Sequence, residues 1–114
     1  MRPDKAVNLD ENEMESFLRK FDLVIVDCWV GWCKHSRRMA PLFESLAQEM
    51  AGVAVFGRLD ARENYHVPVK YQITATPTFL IFKRGNLVER LVGEIGKTEL
   101  DRSIRRYLDE KPAP

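Results

Sequence analysis

The sequence predicts an α/β domain with a central mixed β-sheet of about five strands flanked by four helices. Three observations lead there. Apolar runs rich in β-branched residues alternate with segments whose apolar residues recur every three or four positions, and the turns between them are short. The last two strand-like runs, in "PTFLIFKRGNLVERLV", are joined only by a turn at Lys83 to Asn86, as in an antiparallel hairpin. The resulting order, βαβαβαββα, combines parallel crossovers in the first part with an antiparallel edge at the end.

Val7 to Leu9 reads as a short first strand. Asp10 followed by Glu13 has capping-box spacing, starting a helix whose Met14, Phe17, Leu18 and Phe21 share one face. "LVIVDCWV", Leu23 to Val30, is a nearly continuous apolar run that suits a central strand covered on both sides, with Asp27 as its polar exception. After Gly31 the period becomes helical through Met39, Leu42, Phe43, Leu46 and Met50, and Pro41 inside it is expected to kink the helix. Val53 to Leu59 is the next strand, Asn64 to Tyr71 a short helix, and the hairpin follows. Thr98 to Asp109 closes the chain as an amphipathic helix with Leu100, Ile104, Tyr107 and Leu108 inward. Residues 1–114 read as one domain without repeats, low-complexity segments or linkers, and residues 1–6 and 110–114 are expected to fray.

With 114 residues the chain can bury a real core, and a formal net charge of +1 gives no reason to expect nucleic acid or an anionic membrane as a partner. The first residues, "MRPDKAVNLDENE", lack the apolar stretch of a signal peptide, and no segment is long enough to span a bilayer. The expectation is a soluble cytoplasmic protein, monomeric by default. Cys28 and Cys33 are too few for a disulfide framework, and with His35 and His66 they show no paired metal-ligand spacing, so no metal or cofactor is expected.

Cys33 is the residue that invites chemistry. Between a strand end and a helix start, it faces unpaired backbone N–H groups and the positive end of the helix dipole, which favour a thiolate. Lys34, His35, Arg37 and Arg38 add positive charge around it. Each of these influences lowers the thiol pKa toward a nucleophile usable near neutral pH, although a free cysteine can equally be a small core filler.

"VDCWVGWCKHSRRMAP" resembles the active-site segment of the thioredoxin family, where a strand ending Val-Asp-Phe-Trp leads into Trp-Cys-Gly-Pro-Cys-Lys and a helix containing Ala-Pro. "KYQITATPTFLIFKRG" is similar to the family's cis-proline stretch, and "VGE", Val92 to Glu94, to its Val-Gly element. These motifs occur in the family's order and spacing over about Val7 to Tyr107. The resemblance implies a thioredoxin fold and a thiol–disulfide oxidoreductase acting on protein disulfides, with thioredoxin reductase or glutathione as electron donor. It gives Cys33 the role of attacking thiol, Asp27 that of the buried carboxylate, and Thr76 and Pro77 that of a cis-proline edge pairing with an extended substrate. Trp29 and Trp32 take the two tryptophan positions, Gly93 the groove glycine, and Arg58 a position where a lysine is common. Other readings stay open at this point: a trans Pro77 at a strand start, packing roles for Trp29 and Trp32, a solvated Asp27, an exposed His35 without influence on the thiol, and a Gly93 that only permits a bend.

One position departs from the family pattern. Ser36 stands where the resolving cysteine belongs, and a hydroxyl cannot displace a mixed disulfide, because it is not ionised near pH 7 and would form an unstable sulfur–oxygen bond. Ser36 can still donate a hydrogen bond to a Cys33 thiolate. It is either natural, giving a monothiol protein, or a Cys-to-Ser replacement in a dithiol parent. Cys28 should point to the opposite face from Asp27, as a core residue remote from the active-site turn. Lys34 and His35 replace the usual Gly-Pro; in the wider family a histidine before the second cysteine accompanies more oxidising proteins. Two further functions compete: a non-catalytic peptide-binding or chaperone-like module using the cis-proline groove, and an iron–sulfur site like that of monothiol glutaredoxins, whose glutathione-binding elements are missing here.

Overall fold

A computed structural model of the chain describes residues 3–108; the expected fraying of 110–114, and Asp109 at the end of the expected last helix, lie outside them. The elements are β1 (Val7–Leu9), α1 (Glu11–Lys20), β2 (Leu23–Trp29), α2 (Lys34–Glu49), β3 (Val55–Asp60), α3 (His66–Lys70), β4 (Thr78–Lys83), β5 (Asn86–Val92) and α4 (Lys97–Arg105). They form a five-stranded sheet in the order β1-β3-β2-β4-β5. Strands β1 and β2 run parallel to β3, while β4 is antiparallel to β2 and β5 to β4. This is the thioredoxin fold that the motifs imply.

Alternation along β2 sends its side chains to two cores. Leu23 and Ile25 face α2 and α4, packing with Met39, Phe43, Leu46, Leu100 and Ile104. Val24, Val26 and Cys28 face α1 and α3, among Met14, Leu18 and Val67. Cys28 is therefore a fully buried core residue on the face opposite Asp27, as strand alternation predicts.

Local chemistry sets most element ends. Asp10 accepts hydrogen bonds from the N–H groups of Asn12 and Glu13, both at 2.9 Å, and Glu13 accepts from the Asp10 N–H at 3.2 Å, completing the capping box. The hairpin closes on Arg84 and Gly85, with φ of 50° and 83°, between the paired Lys83 and Asn86. Two consecutive left-handed residues are the signature of a type I′ turn, and glycine is the residue that adopts the second without strain.

Three of the boundaries that differ from the sequence expectation have a physical reason in the structure. The third strand begins at Val55 rather than Val53, because Val53 donates to the Met50 carbonyl in the turn that closes α2. Asn64 precedes the short helix rather than starting it. Its Oδ1 accepts from the Glu11 N–H at 2.9 Å and its Nδ2 donates to the Asp60 carbonyl at 3.0 Å, so it ties α1 to the end of β3. The last helix stops at Arg105, yet Tyr107 and Leu108 still pack on the core, and the Tyr107 hydroxyl donates to Glu89 at 2.6 Å. Helix α2 continues through Pro41, which lacks the N–H that would reach the Arg37 carbonyl. Among the described residues no helix is long and apolar enough to cross a membrane.

Phe43 fixes α2, and hence the site at its start, against the sheet. Fully buried, its ring meets Phe56 of β3 edge-on at 5.2 Å and stacks on Phe79 of β4 at 5.8 Å. Phe43→Ala is expected to cost about 3–5 kcal/mol, the usual range for emptying a buried aromatic site, read as a lower urea midpoint with an unchanged slope.

Candidate active site

The antiparallel pairing of β2 with β4 places Cys28 opposite Thr78, so the loop that follows β2 and the residues that precede β4 emerge at the same end of the sheet. That juxtaposition builds the site. Cys33 caps α2 without a side-chain cap bond, and its carbonyl accepts from the Arg37 N–H at 3.1 Å. Across from it the Thr76–Pro77 peptide is cis, and the Cys33 thiol donates to the Thr76 carbonyl at 3.3 Å. Gly93, with φ of 88°, donates its N–H to the Pro77 carbonyl at 2.8 Å. A side chain there would be strained whatever the space around it.

The surroundings of the sulfur hold its pKa down, from an ordinary 9.0 to about 7. The largest cause is hydrogen bonding from the Thr76 side chain, followed by the Ser36 backbone N–H, with burial opposing and smaller help from the Ser36 hydroxyl and the His35 backbone. The contact to the Thr76 carbonyl favours the protonated thiol, and the Thr76 side chain outweighs it by favouring the thiolate. Ser36 is buried and its Oγ has no partner with hydrogen-bond geometry among the described residues, consistent with its minor share. The downward direction agrees with the sequence expectation, but its source differs. It comes from hydrogen bonds, first of Thr76 across the site and then of Ser36 and His35 at the helix start, not from the charges of Lys34, Arg37 and Arg38.

Those basic side chains are otherwise disposed. The His35 imidazole and the Arg38 guanidinium both reach Glu94 Oε1, Arg38 at 3.1 Å. These contacts, His35 foremost, hold the Glu94 carboxyl below its usual range. His35 therefore offers the sulfur its backbone while its ring faces Glu94. Glu94 is the residue that sequence reasoning passed over; it lies 59 positions from His35, and no local pattern links the two.

Behind the thiol, Asp27 and Arg58 are direct neighbours in the β2–β3 register, with Arg58 Nε donating to Asp27 Oδ2 at 3.4 Å. Asp27 is fully buried, and desolvation raises its pKa from 3.8 to about 6 against the opposing pull of Arg58. The guanidinium of Arg58 also lies 4.6 Å from the centre of the Trp29 ring. Three buried polar atoms of this region, Asp27 Oδ1, Trp29 Nε1 and Ser36 Oγ, have no protein partner among the described residues. On the outer side, Trp32 is 65% exposed with Arg62 over its ring at 5.2 Å, flanking a cleft that also includes Ile73, Ala75 and Thr76. Cys28, buried and pushed up to about 12, is a poor nucleophile.

A helix-start cysteine facing a cis X–Pro edge on a mixed sheet defines the thiol–disulfide oxidoreductase class. The thioredoxin family model matches residues 5–106. The chain is 31% identical over 99 residues to a thioredoxin of Chlorobaculum thiosulfatiphilum, covering 87% of this chain and 92% of that one. It is likewise 31% identical over 108 residues to a thioredoxin of Buchnera aphidicola, covering 94% and 96%. The structure of a mutant thioredoxin from Halobacterium salinarum matches with a TM-score of 0.90 and 26% identity over 98% of both chains. The chain belongs to the thioredoxin family.

Two titrations follow from these environments. Thiolate absorbance, or the rate of alkylation, should rise through a midpoint near pH 7 for Cys33, with Cys28 silent. Thr76→Val should move that midpoint upward, whereas Ser36→Ala, which keeps the backbone N–H, should barely shift it. For Asp27 the sign is the reverse of the usual carboxylate case. Between about pH 4 and 6 the folded chain retains a proton that the unfolded chain has lost, so stability falls as pH rises through this window. Asp27→Asn is expected to stabilise the fold at pH 7 by about 2–3 kcal/mol, a gain that fades as pH falls below 6 toward 4 in urea titrations.

Proposed function

We propose that the chain performs the attacking half of thiol–disulfide exchange on protein disulfides through Cys33 and depends on an external thiol for release. The observation that carries this reading is the pairing of a thiol held near pKa 7 with a buried serine, not a second thiol, at position 36.

In the first step the Cys33 thiolate attacks one sulfur of a client disulfide. A Cys33–client disulfide forms, the client S–S bond breaks, and the electron pair leaves on the other client sulfur. Thr76, cis-Pro77 and Gly93 offer an extended client segment a short β-like edge, with Trp32 as an apolar wall. Lys34 and His35 shape the first turn of α2, and the Ser36 hydroxyl assists the thiolate. Trp29 and Arg58 support buried Asp27, whose proton-relay role in a dithiol protein has no thiol to serve at position 36.

Release then requires a second thiolate from outside, such as glutathione, without the effective-concentration advantage of a neighbouring group. Thioredoxin reductase is the reductant suited to a Ser36→Cys variant, because it acts on an internal disulfide that this chain cannot make with Ser36. The reading places the protein as a monomer in a reducing compartment such as the cytoplasm.

Insulin reduction with dithiothreitol or glutathione tests it. Ser36→Cys should turn over insulin, the chain with Ser36 should be slower by at least about tenfold with dithiothreitol and accumulate a Cys33-linked adduct, and Cys33→Ala should do neither. An adduct-forming Cys33→Ala variant would exclude Cys33 as the nucleophile.

A further inference from the structure

On the first turns of α2, Lys34, Arg37 and Arg38 line a shallow cleft of about 350 Å³; Lys34 follows Cys33 directly, and the Arg37 N–H donates to the Cys33 carbonyl. All three side chains are exposed, and the first turn carries no acidic residue. Arg38 is engaged by Glu94, whereas Lys34 and Arg37 have no ion-pair partner among the described residues. The cleft shares no lining residue with the one beside Trp32 and Thr76, and of the two only this one is lined by basic residues alone.

We propose that Lys34, Arg37 and Arg38 form an anion subsite that docks the carboxylates of a low-molecular-weight thiol next to Cys33, making such a thiol the second substrate of the site. The proposal rests on the reading of Cys33 as the nucleophile. Several considerations converge on a small anionic thiol. The cleft is a shallow depression lined by three side chains, a footprint for a small charged group rather than for a protein interface. Two unpaired cations favour carboxylates, and the arginine offers them a bidentate fork. A site without a resolving thiol also gains most from binding its external one, because binding restores part of the proximity lost with the second cysteine.

The exchange balances with this co-substrate alone. From a protein bearing the small thiol as a mixed disulfide, protein–S–S–R, the Cys33 thiolate takes the R-bearing sulfur: the Cys33–S–S–R bond forms, the protein–S bond breaks, and the protein thiolate leaves. A second R–S⁻ then attacks the R-side sulfur, giving R–S–S–R and returning the Cys33 thiolate. The protein sulfur is reduced, the small thiol is oxidised, and two electrons pass between them. Cys33 leaves readily in the second step, since a thiol of low pKa is the better leaving group.

The test measures the rate of Cys33 adduct formation, by intact mass, with oxidised glutathione as the anionic probe and 2-hydroxyethyl disulfide as the neutral one. The ratio of the two rates cancels any change in thiolate fraction or folding. In Arg37→Glu the ratio should fall roughly fivefold, the weight of an exposed ion pair replaced by a repulsion. Arg37→Lys should keep most of it, and roughly 0.5 M NaCl should flatten the ratio of the unmodified chain. An unchanged ratio in Arg37→Glu overturns the subsite while leaving Cys33 chemistry intact. Absence of adduct with both probes overturns the underlying reading instead, with Cys33→Ala as the blank. A peptide disulfide flanked by aspartates that depends on Arg37 more strongly than oxidised glutathione does would assign the cleft to acidic client segments and likewise overturn the proposal.

Discussion

The contact between Cys33 and Thr76, 43 residues apart in sequence, is the constraint around which the molecule is arranged. A sulfur at a helix start is only modestly activated in water; here it is set against a cis-proline edge whose threonine supplies the largest share of its acidity. The antiparallel register of β2 and β4 delivers both partners to one end of the sheet. Phe43, wedged between Phe56 and Phe79, keeps α2 from moving away from it. Packing, topology and reactivity are thus coupled, since loosening α2 would release the sulfur from the groups that ionise it.

Behind that contact the site is built for a partner it does not have. Asp27 is buried with a raised pKa beside a single arginine, a costly arrangement whose burial outweighs the attraction of its neighbour. In a dithiol protein such a carboxyl exchanges a proton with the second thiol, a task that the proposed reading leaves without a thiol at position 36. The cations on the first turns of α2, Lys34 and Arg37, are the groups that the proposed subsite offers to an anionic thiol. On the proposed reading, release is controlled by the supply of an external thiol rather than by an internal resolving group.

Much of this was legible in the sequence, because the informative signals are local. The capping box at Asp10, the two-residue turn at Arg84 and Gly85, and the alternation that buries Cys28 away from the active-site turn are consequences of a few consecutive residues. The Cys33, Pro77 and Gly93 elements were legible through the family resemblance, which carries tertiary information that periodicity lacks. What was hidden is non-local. The Glu94 clamp on His35 and Arg38 joins residues over 50 positions apart, and it redirects side chains that looked like activators of the thiol. Asn64 reads as a helix residue because helical neighbours follow it, yet its side chain is committed to Glu11 and Asp60.

The central claim is that Cys33 attacks and nothing within the chain releases it. Its most direct test is a single-turnover experiment: one equivalent of a peptide disulfide is mixed with the reduced chain, and intact mass is followed with and without later addition of glutathione. The expected result is one adduct per chain, on Cys33, persisting until the external thiol is added. An adduct that decays unaided, leaving a Cys28–Cys33 disulfide, would contradict the claim by making the buried Cys28 the resolving thiol.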